Sequence, residues 1–153
     1  AANCREGDPM RVYLDNCCFN RPFDDQSPLS IRLETEAKLY VQDQIKSGAL
    51  SLGWSYILDY ENAANPCEER RAEIQRWEKL ADCRTQEAPE IISLMKNGVQ
   101  GGLKPLDALH VACAVVLECA VFLTVDKGIL RKAMLMDEIR IMSPIEFVME
   151  QEA

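Results

Sequence analysis

The chain has 153 residues, enough for one domain with its own core. Hydrophobic residues make up 48% and charged residues 27%, which excludes a disordered, collagen-like or low-complexity scaffold. With 17 Lys+Arg against 25 Asp+Glu the net charge is −8, which excludes a broad basic face for duplex nucleic acid but leaves room for a basic rim around a small acidic site.

Residues 1–9 show no apolar periodicity and are set apart as a disordered or non-native leader, with a single domain expected over 10–153. Arg11-Val12-Tyr13-Leu14 is short, apolar and β-prone, and Asp15-Asn16 ends it, so a buried strand is expected there. Phe19 to Pro28, with two prolines and Asp24-Asp25, reads as a loop. Ser30 to Ser47 carries Ile31, Leu33, Ala37, Val41 and Ile45 at helical spacing and stops at Gly48. Ala49 to Trp54 reads as a second strand, and Ser55 opens a helix to about Ala64. Pro66 suits the first position of a further helix to about Asp82, with Ile74, Trp77 and Leu80 as a narrow stripe and Glu68-Glu69-Arg70-Arg71 on a solvated face.

Pro89 to Asn97 predicts a short helix closed by Gly98, and Gly101-Gly102 a loop. Lys104-Pro105 opens an apolar helix to about Cys119, followed by a third strand over Ala120 to Val125. A short helix over Asp126 to Met134, a fourth strand over Ile139 to Met142 and a terminal helix from Pro144 complete the chain. Strands alternate with helices throughout, so the expected class is α/β, three layers with a parallel sheet covered on both faces.

The most apolar stretch, Leu106 to Val125, is broken by Asp107, His110 and Glu118, so no membrane span is expected. The seven cysteines are an odd number with no C-x-x-C pair, and there is one histidine, which argues against a Cys/His zinc site. Cys113 and Cys119 read as core residues, and a cytoplasmic protein with reduced thiols is expected.

In open α/β sheets the functional crevice lies beyond the carboxyl ends of the strands. Asp15 and Asp126 end strands, Asp107 lies in the first turn of the apolar helix, and Glu61 lies on the helix after the second strand. Each has a plainer reading: Asp126 as a helix cap, Asp107 as a helix-dipole partner, Asp15 as a turn residue. Glu61 is more telling, because Ile57 and Leu58 lie about 40° and 60° from it around the helix while Asp59 points the opposite way into solvent. An inward carboxylate needs a partner. Four carboxylates in one crevice require that some be protonated or that a divalent cation sit among them. All-oxygen ligation favours Mg²⁺ or Mn²⁺ over Zn²⁺, and a carboxylate-held cation suits phosphodiester hydrolysis.

At these residues the sequence resembles the PIN-domain family, which includes the VapC-type ribonuclease toxins of toxin–antitoxin pairs. The matching pieces are Val12-Tyr13-Leu14-Asp15-Asn16, Trp54 to Glu61, Pro105-Leu106-Asp107-Ala108-Leu109-His110-Val111-Ala112 and Phe122-Leu123-Thr124-Val125-Asp126, in that order. The resemblance implies a parallel sheet of four or five strands and an Mg²⁺/Mn²⁺ site that cleaves RNA. It makes Asp15, Glu61, Asp107 and Asp126 the metal-site carboxylates, with Asn16, Ser55 and Thr124 hydrogen-bonding behind them. It also brings in an antitoxin protein as a partner and a homodimer as the assembly. One departure stands out: Cys17, followed by Cys18, occupies a position that is often a small polar residue in the family. Arg21, Arg131 and Lys132 are candidate phosphate contacts by their nearness to Asp15 and Asp126. His110 reads as a core or helix-surface histidine.

Two other chemistries fit less well. A cysteine phosphatase needs a C-x5-R loop, and Arg21 follows Cys17 and Cys18 too closely. A phosphoaspartyl phosphatase usually wants a second Asp where Cys17 stands. The non-enzymatic alternative is a catalytically silent PIN-like module that binds nucleic acid or protein.

Overall fold

A computed structural model describes residues 7–153. Most of the expected leader, residues 1–6, lies outside the described residues. The elements are β1 (Met10–Leu14), α1 (Asn16–Asn20), α2 (Leu29–Lys46), β2 (Leu50–Trp54), α3 (Tyr56–Ala63) and α4 (Glu68–Glu78). There follow β3 (Cys83–Arg84), α5 (Pro89–Gln100), α6 (Pro105–Val116), β4 (Val121–Leu123), α7 (Lys127–Leu130), β5 (Arg140–Met142) and α8 (Pro144–Gln151).

The five strands form one parallel sheet in the order β3-β2-β1-β4-β5. Successive strand residues point to opposite faces, so the complete burial of Val12, Tyr13 and Leu14 in a row means that both faces of β1 are covered. The chain runs from β1 to one side, through β2 and β3, then returns to β4 on the other side of β1. The order therefore reverses between β1 and β4, which is the switch point where an α/β sheet opens a crevice at its carboxyl edge. Register places Leu14 beside Leu123, and Asp15 N continues the ladder to Leu123 O at 2.9 Å. Asp15 and Thr124 thus emerge side by side.

Several local expectations are corrected. The stretch after Asp15 is not all loop: α1 and a 3-10 turn over Arg21–Phe23 occupy much of it, too short to show a helical period. Helix α4 begins at Glu68 behind Cys67, not at Pro66, and ends at Glu78. Its basic residues are not simply solvated, since Arg70 lies over the Phe23 ring and pairs with Asp24, and Arg71 donates to Asn65 O. Gly98 does not close α5 but lies inside it, where an added Cβ would sit 3.0 Å from the Ala108 Cβ; the glycine lets α5 and α6 approach closely. The glycine stop of α2 is as expected, with Gly48 at φ +83°. The 126–134 segment is α7 followed by a 3-10 turn over Ala133–Leu135.

Cys113 and Cys119 are core residues. Among the described residues no helix is long and apolar enough to cross a membrane.

Candidate active site

Asp15 ends β1 in extended conformation and caps α1, with Oδ1 accepting from Asn16 N at 2.8 Å. The residue is only 6% exposed, so its charge needs donors. Thr124 Oγ1 donates to Oδ2 at 2.8 Å and Cys17 Sγ donates to it at 3.3 Å. Thr124 Oγ1 also accepts from Asp126 N at 3.1 Å, so one hydroxyl joins the ends of β1 and β4. Cys17 thus serves Asp15 as a hydrogen-bond donor. Its thiol is held well above the usual range by Cys18, by burial and by the Asp15 charge, and so remains a donor.

Glu61 projects from α3 toward the same edge. Its Oε2 accepts from Asn16 Nδ2 at 3.0 Å, and its Oε1 meets His110 Nε2. Asn16 therefore contacts both carboxylates, through its backbone N–H and its side chain. Asp59, on the other side of α3, is exposed, although its carboxylate accepts from Trp54 Nε1 at 2.9 Å.

Asp107 lies in the first turn of α6, half-buried. Burial first, then the charges of Asp15 and Asp126, push its carboxyl above the usual range, against the opposing pull of His110 and Lys104. One turn on, His110 is 1% exposed, with Nε2 4.0 Å from Asp15 Oδ1.

Asp126 is exposed and caps α7, with Oδ1 accepting from Gly128 N at 2.7 Å and Ile129 N at 3.3 Å. The plainer capping role of Asp126 is thus real, and it is compatible with a place at the crevice.

Two residues extend the site beyond the sequence expectation. Tyr13, fully buried on β1, has its hydroxyl 2.6 Å from His110 Nδ1 and 2.6 Å from Ser55 Oγ. Ser55 does not touch a carboxylate; it caps α3 by accepting from Leu58 N at 3.2 Å and anchors the far end of this chain. With His110 Nε2–H donating to Glu61, Nδ1 accepts from Tyr13 and Tyr13 accepts from Ser55, so every group is satisfied. Burial keeps the Tyr13 phenol protonated well past its ordinary range. The sequence signals were modest: the chain's single histidine, one turn from Asp107, and a tyrosine inside a buried strand.

The candidate phosphate contacts fare differently. Arg21 pairs with Asp24 at 3.1 Å and Glu34 at 3.8 Å, so its charge is taken up away from the carboxylates. Lys132 Nζ donates to Gly102 O, tying α7 to the loop after α5, while Arg131 stays exposed.

The donor set suits a hard divalent cation in its chemistry. The carboxylates are oxygen acceptors in excess of positive charge, and the buried Asn16 Oδ1 has no hydrogen-bond partner among the described residues. The carboxylates are nevertheless more open than a closed cage: among the described residues no three His, Cys, Asp or Glu side chains come together closely enough to enclose an ion.

No family model and no curated protein matches the chain. Solved structures do. FitAcB from Neisseria gonorrhoeae aligns with a TM-score of 0.54 at 16% identity, over 87% of this chain and 97% of that one. VapBC2 from Rickettsia felis, solved bound to a DNA fragment from its promoter, aligns with a TM-score of 0.54 at 13% identity, over 88% and 98%. PAE2754 from Pyrobaculum aerophilum aligns with a TM-score of 0.51 at 17% identity, over 93% and 94%. The chain has the PIN-domain fold. At these identities the likeness concerns fold, and the five-stranded parallel sheet agrees with the four or five strands that the resemblance implies.

Proposed function

We propose that the protein is an Mg²⁺- or Mn²⁺-dependent endoribonuclease. The single observation that supports this best is the approach of Glu61 and Asp15 to His110 at the switch point between β1 and β4, with Asp107 one turn earlier on α6 and within the electrostatic reach of Asp15 and Asp126. Asp15 and Asp107 would hold the principal cation, and Glu61 and Asp126 would complete the site or hold a second one. A bound Mg²⁺ or Mn²⁺ would lower the pKa of the attacking water and offset charge on the phosphate oxygens. Thr124, Cys17 and Asn16 orient the Asp15 carboxylate toward the crevice. His110 and Asn16 hold the two oxygens of Glu61, so that its carboxylate cannot swing away. Arg131, exposed just after Asp126, is the remaining candidate for a phosphate contact.

The substrate is RNA, single-stranded or structured. The likeness to FitAcB and VapBC2 supports a toxin of a toxin–antitoxin pair, with an antitoxin protein as partner. The protein works in the cytoplasm, where its thiols stay reduced. It pairs with a second copy, for which Leu29 and Leu33, 60% and 50% exposed on one side of α2, offer apolar surface. Light scattering giving a monomer at tens of micromolar would refute the pairing.

The test of the activity is incubation of the full chain with labelled single-stranded RNA in Mg²⁺ and in Mn²⁺. Metal-dependent cleavage is expected. Binding of RNA without cleavage in either metal would favour the silent module instead.

A further inference from the structure

Away from the carboxylates, α1, α2 and α4 border a half-open cavity of about 580 Å³, within the range of small-molecule sites. It shares no lining residue with the carboxylate crevice. Its walls are largely apolar: Phe19 from α1, Ile74 and Trp77 from α4, and Phe23 from the turn after α1. Of the polar side chains on the lining, Glu69, Glu73 and Arg76 stand toward the rim and two are buried. Lys38 and Gln42, one turn apart on α2, are 3% and 5% exposed.

Both are donors without acceptors. Gln42 Nε2 has no hydrogen-bond partner among the described residues. Lys38 Nζ lies 5.6 Å from the Phe19 ring centre and 6.0 Å from that of Trp77, and no ion pair or hydrogen bond holds it among the described residues. A buried charge without a counter-ion is costly, and apolar walls do not repay it. The surrounding charges do not cancel it either. Glu73 is paired with Arg76 at 2.7 Å, and Lys46 adds a second ammonium 5.1 Å from the Trp77 ring. Glu69 at the rim is exposed. The cavity therefore presents an unneutralised cation against aromatic and aliphatic walls, with an unpartnered N–H donor one turn along α2.

We propose that this cavity binds a small apolar monocarboxylate, with the carboxylate on Lys38 Nζ and Gln42 Nε2 and the hydrocarbon or aromatic body between Phe19 and Trp77. A phosphate would leave the apolar walls unfilled, and a neutral ligand would leave the ammonium uncompensated. The volume suits one small molecule.

Hexanoate and benzoate are the probes, followed by NMR on the full chain. The indole N–H of Trp77 should shift saturably, while that of Trp54, held by Asp59, stays fixed and serves as the internal reference. A dissociation constant of about 1 mM is expected, weakened about tenfold in Lys38→Met and for hexanol or benzyl alcohol. Gln42→Leu should weaken binding as well, and it carries the test should Lys38→Met fail to fold. No saturable shift up to about 20 mM would overturn the proposal. So would unchanged affinity in the variants, or alcohols that bind as well as the acids.

Discussion

His110 stands between Tyr13 and Glu61, with Nδ1 2.6 Å from the Tyr13 hydroxyl and Nε2 on Glu61 Oε1. The chain Ser55–Tyr13–His110–Glu61 joins strand, helix and crevice in one hydrogen-bonded line. Replacing the imidazole by Phe removes both bonds. It frees Glu61 while keeping a ring against Tyr13 and its stacked neighbour Phe122. His110→Phe should cost about 1–3 kcal/mol in urea unfolding and lower the cleavage rate about 10–100-fold. His110→Gln, which retains a donor, should recover part of the rate. If His110→Phe cleaved like the parent, the histidine would be a core residue only.

Asp15 takes one bond from a hydroxyl and one from a thiol. Cys17→Ser keeps a donor in place and should leave cleavage nearly unchanged. Thr124→Val keeps the shape but removes the hydroxyl shared with Asp126 N. A loss of about 10–100-fold in metal-dependent cleavage is expected, with a higher metal requirement. A Thr124→Val protein with an unaltered metal titration would show that the hydroxyl serves the fold alone.

These contacts show where sequence is informative. The end of β1 is legible because Val12 to Leu14 form an unbroken apolar run halted by Asp15, whereas β4 stops at Leu123, short of the expected end before Asp126. Glu61 is legible from its angle on α3. The role of His110 is not, because a histidine on an apolar helix reads as core and its partners Tyr13 and Glu61 lie 97 and 49 residues away. β3 is hidden for a different reason: its two residues are too few for any period, and pairing with Gly53 and Trp54 alone defines it. Arg21 misleads because nearness in sequence to Asp15 says nothing of Asp24 and Glu34, which claim its charge.

Lys38 gives a pH-dependent stability. Burial lowers its pKa from the ordinary 10.5 to about 8, with Lys46 pulling the same way and Cys18 and Glu73 opposing. Between those values the unfolded chain binds more protons than the folded one, so the lysine's contribution to stability rises with pH. Below about pH 8 the buried ammonium carries its full penalty. Lys38→Met should therefore be more stable than the parent by about 1–3 kcal/mol at pH 7, an advantage that shrinks as the pH rises toward the ordinary lysine value. Chemical unfolding of both proteins across that range checks it. A difference constant with pH would mean that Lys38 titrates normally.

Just past the end of α6, Glu118 sits at φ 58°, a left-handed conformation that disfavours side chains. Glu118 N donates to Val115 O at 2.9 Å and Cys119 N to Ala114 O at 3.0 Å, the paired bonds of a Schellman cap. Glu118→Gly should stabilise the fold by about 0.5–1 kcal/mol without touching cleavage. A lower melting temperature would contradict this.

The most direct measurement is the cleavage of a labelled single-stranded RNA by the parent and by Asp15→Asn, in Mn²⁺ and in EDTA, with the product ends identified. Asp15→Asn keeps the shape and removes one charge, so it should fold normally. The parent should cut only with metal and leave a 5′-phosphate and a 3′-hydroxyl. The variant should not cut, and Asp59→Asn, on the opposite side of α3, should cut like the parent. Cleavage that persists in EDTA, or full activity in Asp15→Asn, would contradict the carboxylate–metal account.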